Sequence, residues 1–321
     1  MRRASALIAS AGLLVAALTG CSTTGSAADC DAPVSAGAAT KLVTVDGDFG
    51  KAPTVDFPTP VKTTTTQASE VIDGSGAGLV HGQQVTLELS IYNGTTGAVI
   101  EKSAYDGTSQ TNYVLADAPL KGLTDGLLCA QVGSRMVVVV APEDAFGPQG
   151  GSEQFGVGKD DSLIFVADVV KAYLPRADGA SQPVANGLPA VVLAEDGTPG
   201  ITIPSGAPPA KLQIGVLKKG NGAEAAEGDN VTVHYTGVVW DQKTVFDSSW
   251  ANGAPATLVA AVGSATQAGV IPGFAKALIG QTVGSQIVAV IPPDEGYGDS
   301  AQGSIPAGST LVFVVDILGI G

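Results

Sequence analysis

Apolar and polar residues alternate along several stretches of the chain, most clearly Val231-Thr232-Val233-His234-Tyr235 and Leu311-Val312-Phe313-Val314-Val315-Asp316-Ile317. An extended backbone sends successive side chains to opposite faces, so such segments predict strands with one buried face. Ile271 to Leu278 is the one convincing short helix. Its entry, Val270-Ile271-Pro272-Gly273-Phe274, puts proline near the start, where a missing backbone donor costs little. Beyond the N-terminus no apolar run reaches the roughly eighteen residues of a membrane span, and no heptad run occurs. One antiparallel sheet wrapped over one short helix, an α+β unit, is the predicted architecture.

The pattern occurs twice. Val71 to Ser90 lies over Leu217 to Thr236 at an offset of 146, with Gly74, Gly76, Ala77, Gly82, Val85 and Thr86 recurring. Gln131 to Gly147 lies over Thr282 to Gly298 at an offset of 151 (Gly133 to Gly284), and Leu163 to Val170 over Leu311 to Leu318 at 148. A period near 150 is too long for a solenoid and implies a duplicated domain. The tract from Arg176 to Gly187, rich in Pro, Gly, Ala and Asn, suits a surface linker. Domains are expected at 40–175 and 188–321, with the linker at 176–187 between them.

Composition narrows the partners. Hydrophobic residues make up 45% of the 321 and charged residues 14%, enough for a core in each domain. Thirty acidic against 16 basic residues give a net charge of -14, which repels phosphate backbones, so nucleic acid is not an expected partner. At the N-terminus, Arg2 and Arg3 precede an apolar stretch from Ala4 to Leu18, followed by Leu18-Thr19-Gly20-Cys21. This resembles the lipobox of bacterial lipoproteins, which implies a signal peptide over 1–20 and lipidation at Cys21. It also implies a lipid-anchored place at the outer face of the cytoplasmic membrane. Residues 21–39 then read as a flexible tether. Setting Cys21 aside leaves Cys30 and Cys129, candidates in an exported chain for a disulfide, with two separate thiols as the alternative.

The candidate chemistry lies in the second copy. VHYTG (233–237), VFDSS (245–249), VIPGF (270–274), EGYG (295–298) and IPAGSTLVFVVDIL (305–318) follow one another in order. They place aromatic and aliphatic side chains at fixed points, with the carboxylate of Asp247 and the phenols of Tyr235 and Tyr297 among them. Together they resemble the FKBP-type peptidyl-prolyl cis/trans isomerases over the last hundred or so residues. The resemblance implies two FKBP-like domains, the second with an apolar cup. It implies that Tyr235, Phe246, Asp247, Ile271, Tyr297 and Phe313 carry the catalysis, with Val270, Phe274 and Ile305 binding substrate. The backbone N–H of Ile271 and the hydroxyl of Tyr297 would be the fixed donors, and Asp247 would orient the cup through Tyr235. Two positions depart from the family pattern: Phe274 stands where the floor is usually Trp, and Ala256 where an aromatic is usual. The second departure predicts an open wall.

The first copy keeps the frame and loses the cup. At the repeat offsets Tyr235 becomes Leu89, Phe246 becomes Ile100, Asp247 becomes Glu101, Phe274 becomes Leu123 and Tyr297 becomes Phe146; Phe165 alone matches Phe313. A degenerate first domain is therefore expected. His81 and His234 belong to different copies and no Cys/His cluster exists, so no metal is expected. GxSxG, HExxH and P-loop spacings are missing, which leaves hydrolase and nucleotide chemistry without a motif, and no cofactor is expected. The function implied is isomerisation of Xaa-Pro bonds in exported polypeptides, with macrolides as possible inhibitors. A non-catalytic protein that grips proline-containing segments is the alternative.

Overall fold

The computed structural model describes residues 30–183, 186–264 and 267–321. The expected signal peptide, Cys21 and the first part of the tether lie outside them. Among the described residues, no helix is long and apolar enough to cross a membrane.

Two antiparallel sheets carry the chain. In the first half the strand order is Gln67–Ile72, Arg135–Val140, Leu163–Ala172, Gln84–Asn93, Val99–Lys102, and Thr111–Val114 also pairs with Gln84–Asn93. The second half repeats that order with Gln213–Lys219, Gln286–Ile291, Leu311–Ile320, Asn230–Val239, Thr244–Ser248, and Ala256–Val259 on Asn230–Val239. The registers correspond: Leu89 faces Ala167 as Tyr235 faces Val315. Mostly sheet with few helices, the architecture agrees with the sequence at that level.

Each sheet holds one short helix against a face, α1 (Lys121–Leu127) and α2 (Pro272–Leu278). α2 was expected, with Pro272 in its first turn. α1 stands at the matching place in the first half, where a duplicated unit calls for a helix although the local pattern singles out none. Its sequence KGLTDGL contains two glycines, each of which weakens a helix by about 1 kcal/mol relative to alanine, so local propensity does not announce it. Packing makes it: Leu123 and Leu127 are buried, and a methyl group at Gly122 would collide with Val140, as one at Gly273 in α2 would collide with Ile291. These glycines let helix and sheet approach.

The opposite face of each sheet is covered as well. A hairpin of Thr44–Asp46 and Thr54–Asp56 packs Val43, Val45, Val55 and Phe57 onto Val137, Val139, Ile164 and Val166. A second hairpin, Ala190–Leu193 with Pro199–Thr202, packs Val191, Ile201 and Ile203 onto Val288, Val290, Val312 and Val314. The duplication therefore includes these hairpins, which the strand pattern alone does not reveal. In the first half the hairpin turn is pinned by a fully buried ion pair, Arg135 Nε to Asp168 Oδ1 at 2.6 Å. Arg135 also donates to the carbonyls of Gly47, Asp48 and Lys51, and Gly50 N–H donates to Asp168.

In the second half Gln286 replaces the arginine and donates to Asp316 Oδ1 at 2.6 Å. The other oxygen of Asp316 accepts the N–H of Ala177 at 2.8 Å, and Lys218 Nζ donates to the carbonyl of the same residue. Residues 176–187, expected to be a surface linker, thus do more than connect. Ala180–Ser181 pairs with the edge strand Gln213–Lys219, and Gly179 N–H donates to Gly284. Just upstream, Tyr173 lies against Gly319 and Leu174 N–H donates to Leu318.

Cys30 and Cys129 are joined by a disulfide, closing a sequence separation of 99. The end of the expected tether is packed as well: Ala39 is buried and its N–H donates to Gln67 Oε1 at 2.8 Å.

Candidate active site

The helix-side face of the second sheet opens into a cavity of about 510 Å3 lined by Tyr235, Phe246, Asp247, Leu258, Val270, Ile271, Pro272, Phe274, Tyr297 and Phe313, with Gly263, Gly269 and Gly296 at its edges. Phe313 on the long strand Leu311–Ile320 is the hub. Phe274 meets it edge-on at 4.7 Å between ring centroids, Phe246 at 5.5 Å, and Tyr235 lies 6.3 Å away. Edge-to-face contacts of this kind favour one ring arrangement over others, so the walls hold their shape. Phe274, from α2, is 4% exposed and forms the floor. Phe246 lies over Gly237, where any side chain would displace it.

Polar groups at the site are few. The Tyr235 hydroxyl donates to Asp247 Oδ2 across the neighbouring strand, and Asn252 Nδ2 reaches Asp247 Oδ1 at 3.5 Å. Burial first, then the bond to Asp247 and its negative charge, push the Tyr235 phenol well above its ordinary range. It stays protonated at any working pH and acts as a donor. Tyr297 stands at the rim, 38% exposed. Ile271 precedes α2, and Phe274 N–H and Ala275 N–H both donate to its carbonyl, fixing the entry of the helix.

Eight of the nine residues named from sequence thus meet at one cavity. Ile305 is placed differently: it is 6% exposed and packs in the core with Phe274 and Phe313, while its backbone pairs with Gln302 in both directions and closes the loop before the last strand. Ala256 does not line the cavity either. The wall there is Leu258, two positions along the same strand and on the same face, followed by Gly263 and Gly269, which contribute only backbone. Leu258, Pro272 and the three glycines were not assigned to the site from the sequence. A period-two count from Ala256 would have found Leu258.

The corresponding surface of the first half is filled. Leu89, Leu123 and Phe165 are buried in its core, with Ile100 and Phe146 packed against it. Tyr113 sits opposite Val85 as Leu258 sits opposite Val231, and its hydroxyl donates to the carbonyl of Leu120 at 3.1 Å and contacts Thr124 Oγ1 at 2.9 Å. Leu120 precedes α1 as Ile271 precedes α2.

Residues 222–318 match the family described as FKBP-type peptidyl-prolyl cis-trans isomerase. FK506-binding protein 1 of Aspergillus oryzae is 39% identical over 113 residues, covering 33% of this chain and 94% of that protein. The chain belongs to the FKBP-type peptidyl-prolyl cis-trans isomerase family. The FK506-binding protein of Streptomyces anulatus is 36% identical over 124 residues, covering 38% of this chain and 96% of that protein. FK506-binding protein 2B of Rhizopus delemar is 40% identical over 118 residues, 35% of this chain, and the match spans about half of that protein, 54%. The matched family segment holds all the cavity residues and leaves the first half outside it.

Proposed function

We propose that the second half is an isomerase domain acting on Xaa-Pro bonds of exported polypeptides at the outer face of the cytoplasmic membrane, and that the first half is a degenerate FKBP-like domain that does not catalyse. The observation that carries the reading is the cavity itself: the rings of Tyr235, Phe246, Phe274, Tyr297 and Phe313 around an apolar floor, with the Tyr235 phenol and the Asp247 carboxylate tied to each other. Rotation about an Xaa-Pro bond must break amide resonance over a barrier of about 18–20 kcal/mol. Uncatalysed it takes tens to hundreds of seconds. Such a rotation needs no covalent step. Removing water from the carbonyl disfavours the charge-separated planar amide, and rings that grip the proline select the twisted form. The Ile271 N–H and the Tyr297 hydroxyl are the donors this reading assigns to the substrate carbonyls. Tyr235 and Asp247 keep the cup's shape.

The degenerate reading of the first half is supported by Tyr113, which spans the site that the cup occupies in the second. Anchorage through Cys21 is supported by Leu18-Thr19-Gly20-Cys21 alone, and recovery of the full chain in a detergent phase, lost in Cys21→Ala, tests it. A family member that binds proline segments without turning them over is the second reading. A protease-coupled assay on a proline tetrapeptide separates the two. Turnover that falls in Phe246→Ala supports the isomerase, whereas binding without turnover by the unaltered chain overturns it.

A further inference from the structure

One ion pair joins the floor of the cup to its rim. Lys276 on α2 donates from Nζ to Glu295 Oε2 at 2.7 Å, across 19 residues of sequence. Lys276 lies two residues after Phe274, the floor, and Glu295 two residues before Tyr297, at the rim. Neither partner of the pair lines the cavity itself. The short turn Pro293–Glu295 keeps its shape through its own backbone: Glu295 N–H donates to the carbonyl of Pro292 at 3.1 Å, and Gly296 N–H and Gly298 N–H donate to that of Pro293 at 3.0 and 2.8 Å. Those bonds close the turn on itself and leave its place over the helix to packing and to Lys276. Packing is close there, since a methyl group at Gly273 in the first turn of α2 would come within 3.2 Å of the Glu295 carbonyl oxygen.

The first half shows the same frame without the pair. Its turn Pro142–Asp144 meets α1 in the same way, with a methyl group at Gly122 coming within 3.1 Å of Asp144 Cβ. At the offset of 151, however, Lys276 becomes Asp125 and Glu295 becomes Asp144, two carboxylates that repel as ions. Each has turned elsewhere: Asp125 accepts from Lys121 on its own helix, and Asp144 accepts from Thr66 Oγ1 at 2.6 Å. In that half Phe146, which has no hydroxyl, stands at the position of Tyr297. The cross-link and the hydroxyl therefore occur together, in the half with the open cup.

We propose that Lys276 and Glu295 are positioning residues for the Tyr297 hydroxyl, holding the rim loop in register with the floor helix so that the donor meets the substrate carbonyl. The proposal rests on the reading of the cup as an isomerase site. A pair whose lysine side chain is 57% exposed adds little to stability, because water and salt screen it. Its value is geometric: a group displaced by about 1 Å loses much of its effect on a transition state.

The test uses the full chain and an uncharged, end-capped proline tetrapeptide. Lys276→Met keeps the apolar stem and removes the charge, and it should lower kcat/KM about two- to fivefold, the most that an exposed pair supplies. Lys276→Arg, which can still reach the carboxylate, should keep the unaltered rate. In a Tyr297→Phe background Lys276→Met should change kcat/KM by less than about 1.5-fold, because the group it positions is gone. Lys121→Met breaks the pair on α1 and controls for general effects of charge. An unchanged rate in Lys276→Met overturns the proposal, as does an equal loss in Lys276→Arg, in the Tyr297→Phe background or in Lys121→Met. If the unaltered chain does not turn over the tetrapeptide, the isomerase reading fails, and the positioning role is judged by fluorine resonance of the chain labelled with fluorotyrosine. The Tyr297 signal is the one that Tyr297→Phe removes. A shift of that signal in Lys276→Met, absent in Lys276→Arg, supports the role, and an unmoved signal sinks it.

Discussion

Tyr113 and Leu258 occupy the same register position in the two sheets, yet Tyr113 reaches across to Leu120 and Thr124 where Leu258 leaves a cavity. One side chain thus marks the difference between a filled core and an open cup. Its hydroxyl is buried enough that desolvation raises its pKa, and both bonds are internal. Tyr113→Leu should cost about 1–3 kcal/mol, since the Thr124 hydroxyl and Leu120 carbonyl lose a buried partner. Isomerase activity should stay unchanged, because Ile100, Glu101 and Phe146 still stand where the second half has Phe246, Asp247 and Tyr297. Urea unfolding followed alongside a tetrapeptide assay checks both; a gain in rate would show that Tyr113 alone silences the first half.

In the cup, Phe246 contributes a wall that nothing else replaces. Burying a phenylalanine side chain is worth about 1.5–3 kcal/mol. If that contact is made to the twisted proline, Phe246→Ala should lower kcat/KM about 10- to 100-fold. Tyr297→Phe removes one exposed donor and should cost less, about 3- to 10-fold, equivalent to one modest hydrogen bond. Equal losses in the two variants would count against a cup built mainly on ring contacts.

Much of this site is legible in the sequence because its chemistry is carried by rare residues. Tyr235, Phe246, Asp247, Phe274, Tyr297 and Phe313 each belong to a short motif, and their order along the chain survives whatever path the loops take. Leu258, Gly263 and Gly269 were missed for the opposite reason: they bring no functional group, and only the strand Ala256–Val259 and the bridge between Val262 and Val270 put them at the site. Ile305 shows the reverse error, since a loop residue near the site turned inward to the core. The hairpins escaped because each strand spans only three or four residues and has no core without the sheet beneath. A signal did exist: Pro53, Val55, Phe57 and Pro58 recur as Pro199, Ile201, Ile203 and Pro204 at the offset of 146.

The Tyr235–Asp247 bond has a spectroscopic signature. The carboxylate opposes formation of a phenolate beside it, so Asp247→Asn should let Tyr235 ionise at lower pH, though still above an exposed tyrosine because burial remains the larger cause. A phenol raised in the folded state is protonated there when the unfolded chain has lost its proton. Its stabilising contribution is therefore present below pH about 10 and is lost as pH rises beyond that. Alkaline difference absorbance against Tyr235→Phe isolates this one among the 6 tyrosines. An identical titration in Asp247→Asn would mean that the carboxylate does not face the phenol in solution.

His234 sets an acid limit of the opposite origin. Burial lowers it from 6.5 to about 4, so the unfolded chain binds a proton that the folded chain refuses between those values. Stability contributed by the neutral ring is complete above pH about 6.5 and is lost as pH falls toward 4, by up to about 3 kcal/mol. Asp316, raised by burial, works in the other direction, because its folded form accepts a proton more readily as pH falls. The comparison must therefore be between the unaltered chain and His234→Gln. Urea midpoints between pH 4 and 7 should fall more steeply in the former, and parallel curves would remove His234 as the cause.

The buried carboxylate of Asp316 also sets where the second unit begins. It accepts the N–H of Ala177, and Lys218 ties down the carbonyl of the same residue, while Ala180–Ser181 extends the sheet edge. A fragment starting at residue 188 discards all three and leaves one oxygen of a buried carboxylate without its donor. Bonds to charged groups are worth about 1.5–3 kcal/mol, and a lost partner costs at least that much. The fragment 188–321 should therefore be less stable than 171–321 by about 2–4 kcal/mol, and Asp316→Asn, which needs less from its partners, should narrow the gap. Thermal or urea unfolding of the four fragments, with and without Asp316→Asn, measures the coupling. Equal stability of 188–321 and 171–321 would show that the segment through Ala177 rests on the second sheet without supporting it.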